Sequence, residues 1–276
     1  MNQMSDAENF AKVAEVLQPW LPAVVIAGGW AHRLHRLHAL AEAPPYLPLM
    51  TRDVDVALGP GPSLDEANMR ERLPASDFKE EMSGKDRPPV THYQIGTVEH
   101  PFYVEFLTPL VGSENGRDGT PDITERIRGV SAQKLRHLDV LLLDPWLVKI
   151  GSGNGFPLEQ PVTLRVANPA AYIAQKLLIL GRRKRDDRPL DVLYVHDTLQ
   201  TFAGHLGDVH DAWVTKVAPN VHRRHVSRVK ASVRGQFSEV TDVIRGAAEI
   251  AQSVGRTTSP DALLEACQLG LTRIFL

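Results

Sequence analysis

Hydrophobic residues recur at helical spacing over residues 6–18, where Phe10, Val13, Ala14 and Leu17 share one face. Pro19 and Pro22 end that helix. A β-branched run of strand length follows, Ala23-Val24-Val25-Ile26-Ala27, and then Gly28-Gly29. Ala31, Leu34, Leu37 and Leu40 then repeat every three residues, so the pattern predicts a helix starting at the glycines. Its other face carries His32, Arg33, His35, Arg36 and His38 and is read as a polar surface, and Pro44, Pro45 and Pro48 close the unit. Asp53-Val54-Asp55-Val56-Ala57-Leu58 alternates polar and apolar residues, the period of a half-buried strand. A helix is expected over residues 63–72, with Ser63 and Glu66 forming a capping box. Strands are expected around 90–95, at 102–107, at 138–143 and at 162–166, with a loop rich in Gly, Asn, Asp and Ser at 112–122.

From Asn168 the pattern turns helical and stays so nearly to the end. Asn168-Pro169 pairs an N-cap with a first-turn proline, and strong helical spacing runs through residues 170–180. A basic loop covers 181–189, and helical stretches are expected at 190–203, 208–217, 222–253 and 260–270. The reading is therefore an α+β chain with two parts: a mixed sheet with helices over residues 1–167, and a helical bundle over residues 168–276.

Bulk composition excludes several classes. Hydrophobic residues make up 43% and charged residues 23% of the 276, so a buried core is expected rather than disorder. The net charge of −2 implies no global attraction to nucleic acid or anionic membrane. No apolar run approaches a membrane span, and no signal peptide is read at the N-terminus. The single cysteine, Cys267, lies in an apolar helical pattern and is read as buried and inert. A reducing, cytoplasmic setting is expected.

Three features carry chemistry. Gly28-Gly29 between a strand and a helix lets a phosphate approach backbone amides at a helix start. Asp53 and Asp55, two apart on a strand, share a face, and the pair reads either as a solvated acidic strand edge or as two carboxylates with a cation between them, a role that suits magnesium. Glu105 interrupts an otherwise apolar and aromatic strand, on the face of Tyr103 and Leu107. Other candidates weigh less. His32, His35 and His38 are three apart, not the four of a helical zinc pair, and His222 and His225 are read with the same caution. The runs Arg182–Arg185 and Arg223, Arg224, Arg228, Lys230 and Arg234 are either solvated surface or a contact for RNA.

In this order, glycine pair, D-x-D strand and later acid, the chain resembles the DNA polymerase β-like nucleotidyltransferases. Within them it looks closest to the AbiEii-like and MenT-type bacterial toxin nucleotidyltransferases. Ala174-Gln175-Lys176-Leu177-Leu178, the basic run and Leu190-Asp191-Val192 resemble their helical region. The resemblance implies a nucleotidyltransferase-type sheet and a Mg2+ (or Mn2+) site held by Asp53, Asp55 and Glu105. It implies nucleotide contacts at Gly28, Gly29, Lys176 and Asp191. It also implies transfer of a nucleoside monophosphate from a triphosphate to a hydroxyl of tRNA or protein, with an antitoxin as a further partner. Alternatives are transfer to a small molecule, as in aminoglycoside-modifying relatives, or a non-catalytic binding module. Two departures stand out. Trp30 takes the place of the serine or threonine that many relatives carry, and a long proline-rich stretch separates Gly29 from Asp53.

Overall fold

A computed structural model describes residues 5–59, 69–84, 88–96, 100–115 and 119–276. They divide into two compact units, residues 1–37 with 50–167 and residues 38–49 with 168–276.

The first unit opens with α1 (Asp6–Val16), whose Ser5 and Glu8 cap each other's backbone amides in a capping box. The two prolines turn the chain through a short 3-10 stretch, Gln18–Ala23, into β1 (Val24–Ala27). Next come α2 (Gly28–His35), β2 (Asp53–Leu58) and the short α3 (Met69–Arg72). They are followed by β3 (Lys79–Ser83), β4 (Val90–Gly96), β5 (Pro101–Pro109), β6 (Thr124–Ile127) and β7 (Val130–Leu135). A helical turn, α4 (Leu138–Leu141), and the strands β8 (Trp146–Ile150) and β9 (Val162–Val166) complete the unit.

These strands form one mixed sheet in the order β3-β4-β5-β2-β1-β9-β8, with β7 also pairing β5 and β6 pairing β7. β2 and β5 run parallel, while β1 is antiparallel to β2 and β4 antiparallel to β5. Strand alternation sorts the residues between two faces. Val54, Val56, Tyr93, Val104 and Phe106 turn to one face and are buried. On that side Trp30 of α2 stacks on Phe10 of α1, with ring centroids 4.0 Å apart, and meets Phe102 edge-on. The other face is apolar at one end, where Val25, Ala27, Ala57 and Leu107 pack with Leu138, Leu141 and Ala167. Its remainder is polar.

The expected strand at 138–143 is instead α4. A short run that is apolar but for Asp139 fits strand or helix equally, and His137, in the left-handed region at φ 62°, redirects the chain after β7 so that Leu138 and Leu141 face the sheet from one helical turn. The strands β3, β6, β7 and β8 were not anticipated. β8 reads as an edge strand, with Leu147 and Lys149 exposed and Val148 and Ile150 buried. Of the helix expected at 63–72, residues 69–72 form α3; Ser63 and Glu66 lie outside the described residues.

The second unit is helical: α5 (Pro169–Ile179), α6 (Arg188–Thr201), α7 (Leu206–Ala212), α8 (Arg223–Gln236), α9 (Asp242–Ser253) and α10 (Pro260–Phe275). The Asn168 side chain accepts the Ala171 amide, as an N-cap should. The stretch expected as continuous at 222–253 is two helices, because Phe237 is buried just past α8 and Thr241 caps α9. Residues 38–49 are tied into this unit through a buried centre. Arg256 donates from Nη1 to both Asp197 carboxylate oxygens at 2.8 Å and from Nη2 to the Leu47 carbonyl at 3.0 Å. Tyr46 donates to Asp197 at 3.1 Å, and its ring lies 4.0 Å from the Arg256 guanidinium. Among the described residues no helix is long and apolar enough to cross a membrane.

Candidate functional site

The polar part of the sheet face is built by register. Ala27 of β1 sits opposite Asp55 of β2, Asp55 beside Glu105 of β5, Glu105 opposite His92 of β4, and His92 opposite Glu81 of β3. One row thus crosses five strands and holds three carboxylates and an imidazole. In the row beside it, Asp53 pairs with Tyr103 and Tyr103 with Gln94. Asp53, Asp55 and Glu105 therefore occupy neighbouring positions on one face, while Val54 and Val104 between them anchor the opposite face in the core.

Electrostatics mark this patch as short of positive charge. Burial raises the pKa of Glu105 above the usual carboxylate value, and the negative charge of Asp53 raises it further; a charge on His92 opposes both. Burial likewise raises Asp53, again against His92. Carboxylates pushed up by desolvation, and in Glu105 also by a neighbouring acid, lose that penalty when a cation lies beside them.

The Asp55 side of the patch is closed by Gly28. This residue has φ +58° and starts α2, and a Cβ placed on it would fall 1.7 Å from Asp55 Oδ2. Any side chain would occupy the carboxylate's position, so only glycine fits both the backbone and the contact. The amides of Gly28 and Gly29 lie in the first turn of α2, where a helix favours negative charge. Oxygen donors beside an anion-favouring helix start fit a hard divalent cation carrying a phosphate. Among the described residues no group of three or more His, Cys, Asp or Glu side chains is placed to hold a metal ion. Asp53 is exposed and Asp55 and Glu105 are half-buried, so the row of acids opens to solvent.

Trp30 is fully buried in the aromatic cluster on the opposite face, with Arg33 4.1 Å over its ring. His32 and His35 are buried, which corrects the reading of that helix side as a polar surface. The His35 Nε2 lies 2.8 Å from the Ala167 carbonyl, so its ring links α2 to the end of β9. In the second unit Lys176 is buried and donates to Asp191 at 2.6 Å, while Arg183 donates to the other Asp191 oxygen at 2.8 Å. The Lys176 ammonium also lies 5.1 Å and 4.7 Å from the ring centroids of Tyr172 and Tyr194. Its charge is thus taken up locally. The His222 and His225 rings are 5.9 Å apart at the start of α8. Cys267 is buried, and burial pushes its thiol pKa well up.

His92, Glu81 and Tyr103 escaped the sequence reading as a group. Their signal was the alternation Thr91-His92-Tyr93-Gln94-Ile95, which puts His92 and Gln94 on one face but does not say which strand they pair with.

The chain is similar over its whole length to the "putative nucleotidyltransferase from H. pylori" of a crystal structure, at 10% identity and a TM-score of 0.42, with 99% of this chain and 96% of that one covered. No curated protein matches the sequence. A nucleotidyltransferase family model matches residues 10–216, a span that takes in the glycine turn, all three carboxylates and the first three helices of the second unit. The chain therefore belongs to this nucleotidyltransferase family.

Proposed function

We propose that the chain transfers a nucleoside monophosphate from a nucleoside triphosphate to a hydroxyl acceptor, with Mg2+ (or Mn2+) held by Asp53, Asp55 and Glu105. The observation that carries this reading is the pairing of Asp55 with Glu105, closed on one side by the glycine start of α2. When bound, the cation supplies charge neutralisation at the phosphates and at the attacking and leaving oxygens. The amides of Gly28 and Gly29 receive phosphate charge at the helix start. The acceptor oxygen bonds to the α-phosphorus, the bond from that phosphorus to the α–β bridging oxygen breaks, and pyrophosphate leaves. Glu105 in its ionised form, made more basic by its raised pKa, takes the hydroxyl proton.

For the acceptor we favour RNA, such as a tRNA end. Helix α8 carries Arg223, Arg224, Arg228, Lys230 and Arg234 and no acidic residue. Arg228 donates to the Leu178 carbonyl at 3.1 Å, which brings α8 beside the end of α5, where the basic run Arg182–Arg185 begins. A positive surface of this kind suits a phosphate backbone. A toxin–antitoxin or defence role, of the kind the AbiEii and MenT resemblance implies, follows if modification of that RNA stops growth. Protein and small-molecule acceptors are the competing outcomes.

The test is direct. The protein is incubated with Mg2+, each α-labelled nucleoside triphosphate in turn, and total RNA, cell protein or aminoglycosides. Label on RNA that disappears in Asp53→Asn and Asp55→Asn supports the proposal. Label on protein or drug would replace the acceptor, and no transfer under any of these conditions would leave a non-catalytic binding module.

A further inference from the structure

We propose that Tyr103 is a stacking platform for the terminal nucleobase of an RNA acceptor, and that Gln94 beside it contacts the polar edge of that base. The inference rests on the transfer reading above and names where the acceptor sits.

The direction of transfer divides the site. The Gly28-Gly29 start of α2 borders Asp55 on the β1 side of β2 and favours the negative charge of the leaving pyrophosphate. In an in-line displacement the attacking and leaving oxygens lie on opposite sides of the phosphorus. The acceptor therefore approaches from the other flank of β2, over β5 and β4. A polar row waits there: Asp53 pairs with Tyr103, Tyr103 with Gln94, and Gln94 with Lys79. Neighbouring strands lie about 5 Å apart, so Tyr103 is one strand and Gln94 two strands from Asp53.

The chemistry of this row suits a base. Alternation puts Tyr103, Gln94 and His92 on the acid-bearing face, each half-buried, while Tyr93, Val104 and Phe106 take the core side. The Tyr103 ring is braced by the His92 imidazole, which stands nearly perpendicular to it at 89° and 5.1 Å between centroids. His92 Nε2 in turn lies 3.1 Å from Glu81 Oε2. A ring held in this way loses little freedom when a flat group settles on it. Single-stranded nucleic acid is bound by bases stacking on such rings, and unstacked RNA bases are read by hydrogen bonds to their edges. A glutamine amide offers such an edge both donors and an acceptor. Lys79, exposed at the end of the row, can meet a backbone phosphate.

Short single-stranded RNAs alike except at the terminal nucleotide test the proposal. Four end in the four bases, and one ends in an abasic nucleotide, which keeps the hydroxyl and removes the base. With the full chain, Mg2+ and a labelled nucleoside triphosphate, the abasic end should raise the acceptor KM roughly tenfold or more, the loss of one stacked base. The triphosphate KM should stay within threefold. Tyr103→Leu should show the same loss on a normal end and no further loss on the abasic one. Tyr103→Phe, which keeps the ring, should stay within threefold of wild type, and Gln94→Ala should flatten the preference among the four bases. A tyrosine that only packs against His92 would leave normal and abasic ends indistinguishable in the wild-type chain. That result, or a Tyr103→Leu effect confined to the triphosphate KM, overturns the platform and leaves the transfer reading standing. Label on protein alone does the same, whereas no transfer to any acceptor overturns both. Should Tyr103→Leu fail to fold, a thiouridine end photo-crosslinked to the wild-type chain decides. A crosslink at Tyr103 supports the platform, and one confined to residues outside β4 and β5 overturns it.

Discussion

Gly28 and Asp55 exclude one another's growth: a single methyl on the glycine would come within 1.7 Å of the aspartate Oδ2. The glycine also holds φ +58°, which a side chain resists. Two independent constraints, one of backbone and one of space, therefore meet at the residue that starts α2 and walls the candidate site. Gly28→Ala should displace the Asp55 carboxylate from its place beside Glu105. Transfer should fall at least a hundredfold, on the scale of several kcal/mol that a metal site contributes. The backbone strain alone should destabilise the fold by about 1–3 kcal/mol. Label transfer and thermal unfolding, measured side by side, separate the two effects. A Gly28→Ala protein with wild-type activity would remove Asp55 from the mechanism.

Glu105 gives a prediction in pH. Its pKa in the folded chain is raised, chiefly by burial and then by Asp53, so the folded state holds this proton more tightly than the unfolded state does. A raised carboxylate contributes stability that is complete below its ordinary value, 4.5, and is lost as pH rises through the folded value. In chelator, Glu105→Gln should thus melt higher than wild type near neutral pH, and the difference should shrink toward acid. Added Mg2+ should raise the wild-type melting temperature and leave the variant behind. Melting curves from about pH 4 to pH 8 read this out. A gap that widens toward acid would show that Glu105 is already satisfied in the cation-free chain.

Trp30 looked like a departure at the phosphate-binding turn, and its surroundings give it a different role. It stacks on Phe10 at an interplanar angle of 13° and meets Phe102 edge-on, with no exposed surface. Trp30→Ser, the residue type of many resembling enzymes, should therefore cost about 3–5 kcal/mol in stability. It should not improve nucleotide affinity, because the side chain points into the core. Denaturant titration and nucleotide binding by calorimetry decide it. Tighter binding without loss of stability would return this position to the phosphate site.

These cases show what the sequence could and could not reveal. Period-two alternation at Asp53–Leu58 and at Phe102–Leu107 was enough to put Asp53, Asp55 and Glu105 on single faces of their strands. The adjacency of Asp55 and Glu105 is a product of parallel pairing between strands some fifty residues apart, and the resemblance had to supply it. His92 stayed hidden for the same reason, since its partner strand is a matter of sheet order. The aromatic cluster around Trp30 and the helical turn at Leu138–Leu141 are tertiary outcomes of local patterns that fit two answers. The junction of Tyr46, Asp197 and Arg256 joins residues more than two hundred positions apart, which no local pattern reveals.

Asp191 is a buried carboxylate of the second unit with two basic partners. Burial would raise its pKa, but the charges and hydrogen bonds of Lys176 and Arg183 outweigh that and hold it below its ordinary value of 3.8. A depressed carboxylate contributes stability that is present above its ordinary value and lost as pH falls through the folded one, so this contribution should survive to below about pH 4. Removing either partner has unequal consequences. Asp191→Ala strands a buried ammonium that Tyr172 and Tyr194 can only partly compensate, at about 3–5 kcal/mol. Lys176→Met leaves Asp191 with Arg183 and fills the same space with an apolar chain, so it should cost less. Urea titrations of the two variants test the order. A Lys176→Met protein less stable than Asp191→Ala would mean that the lysine makes a second essential contact beyond this pair.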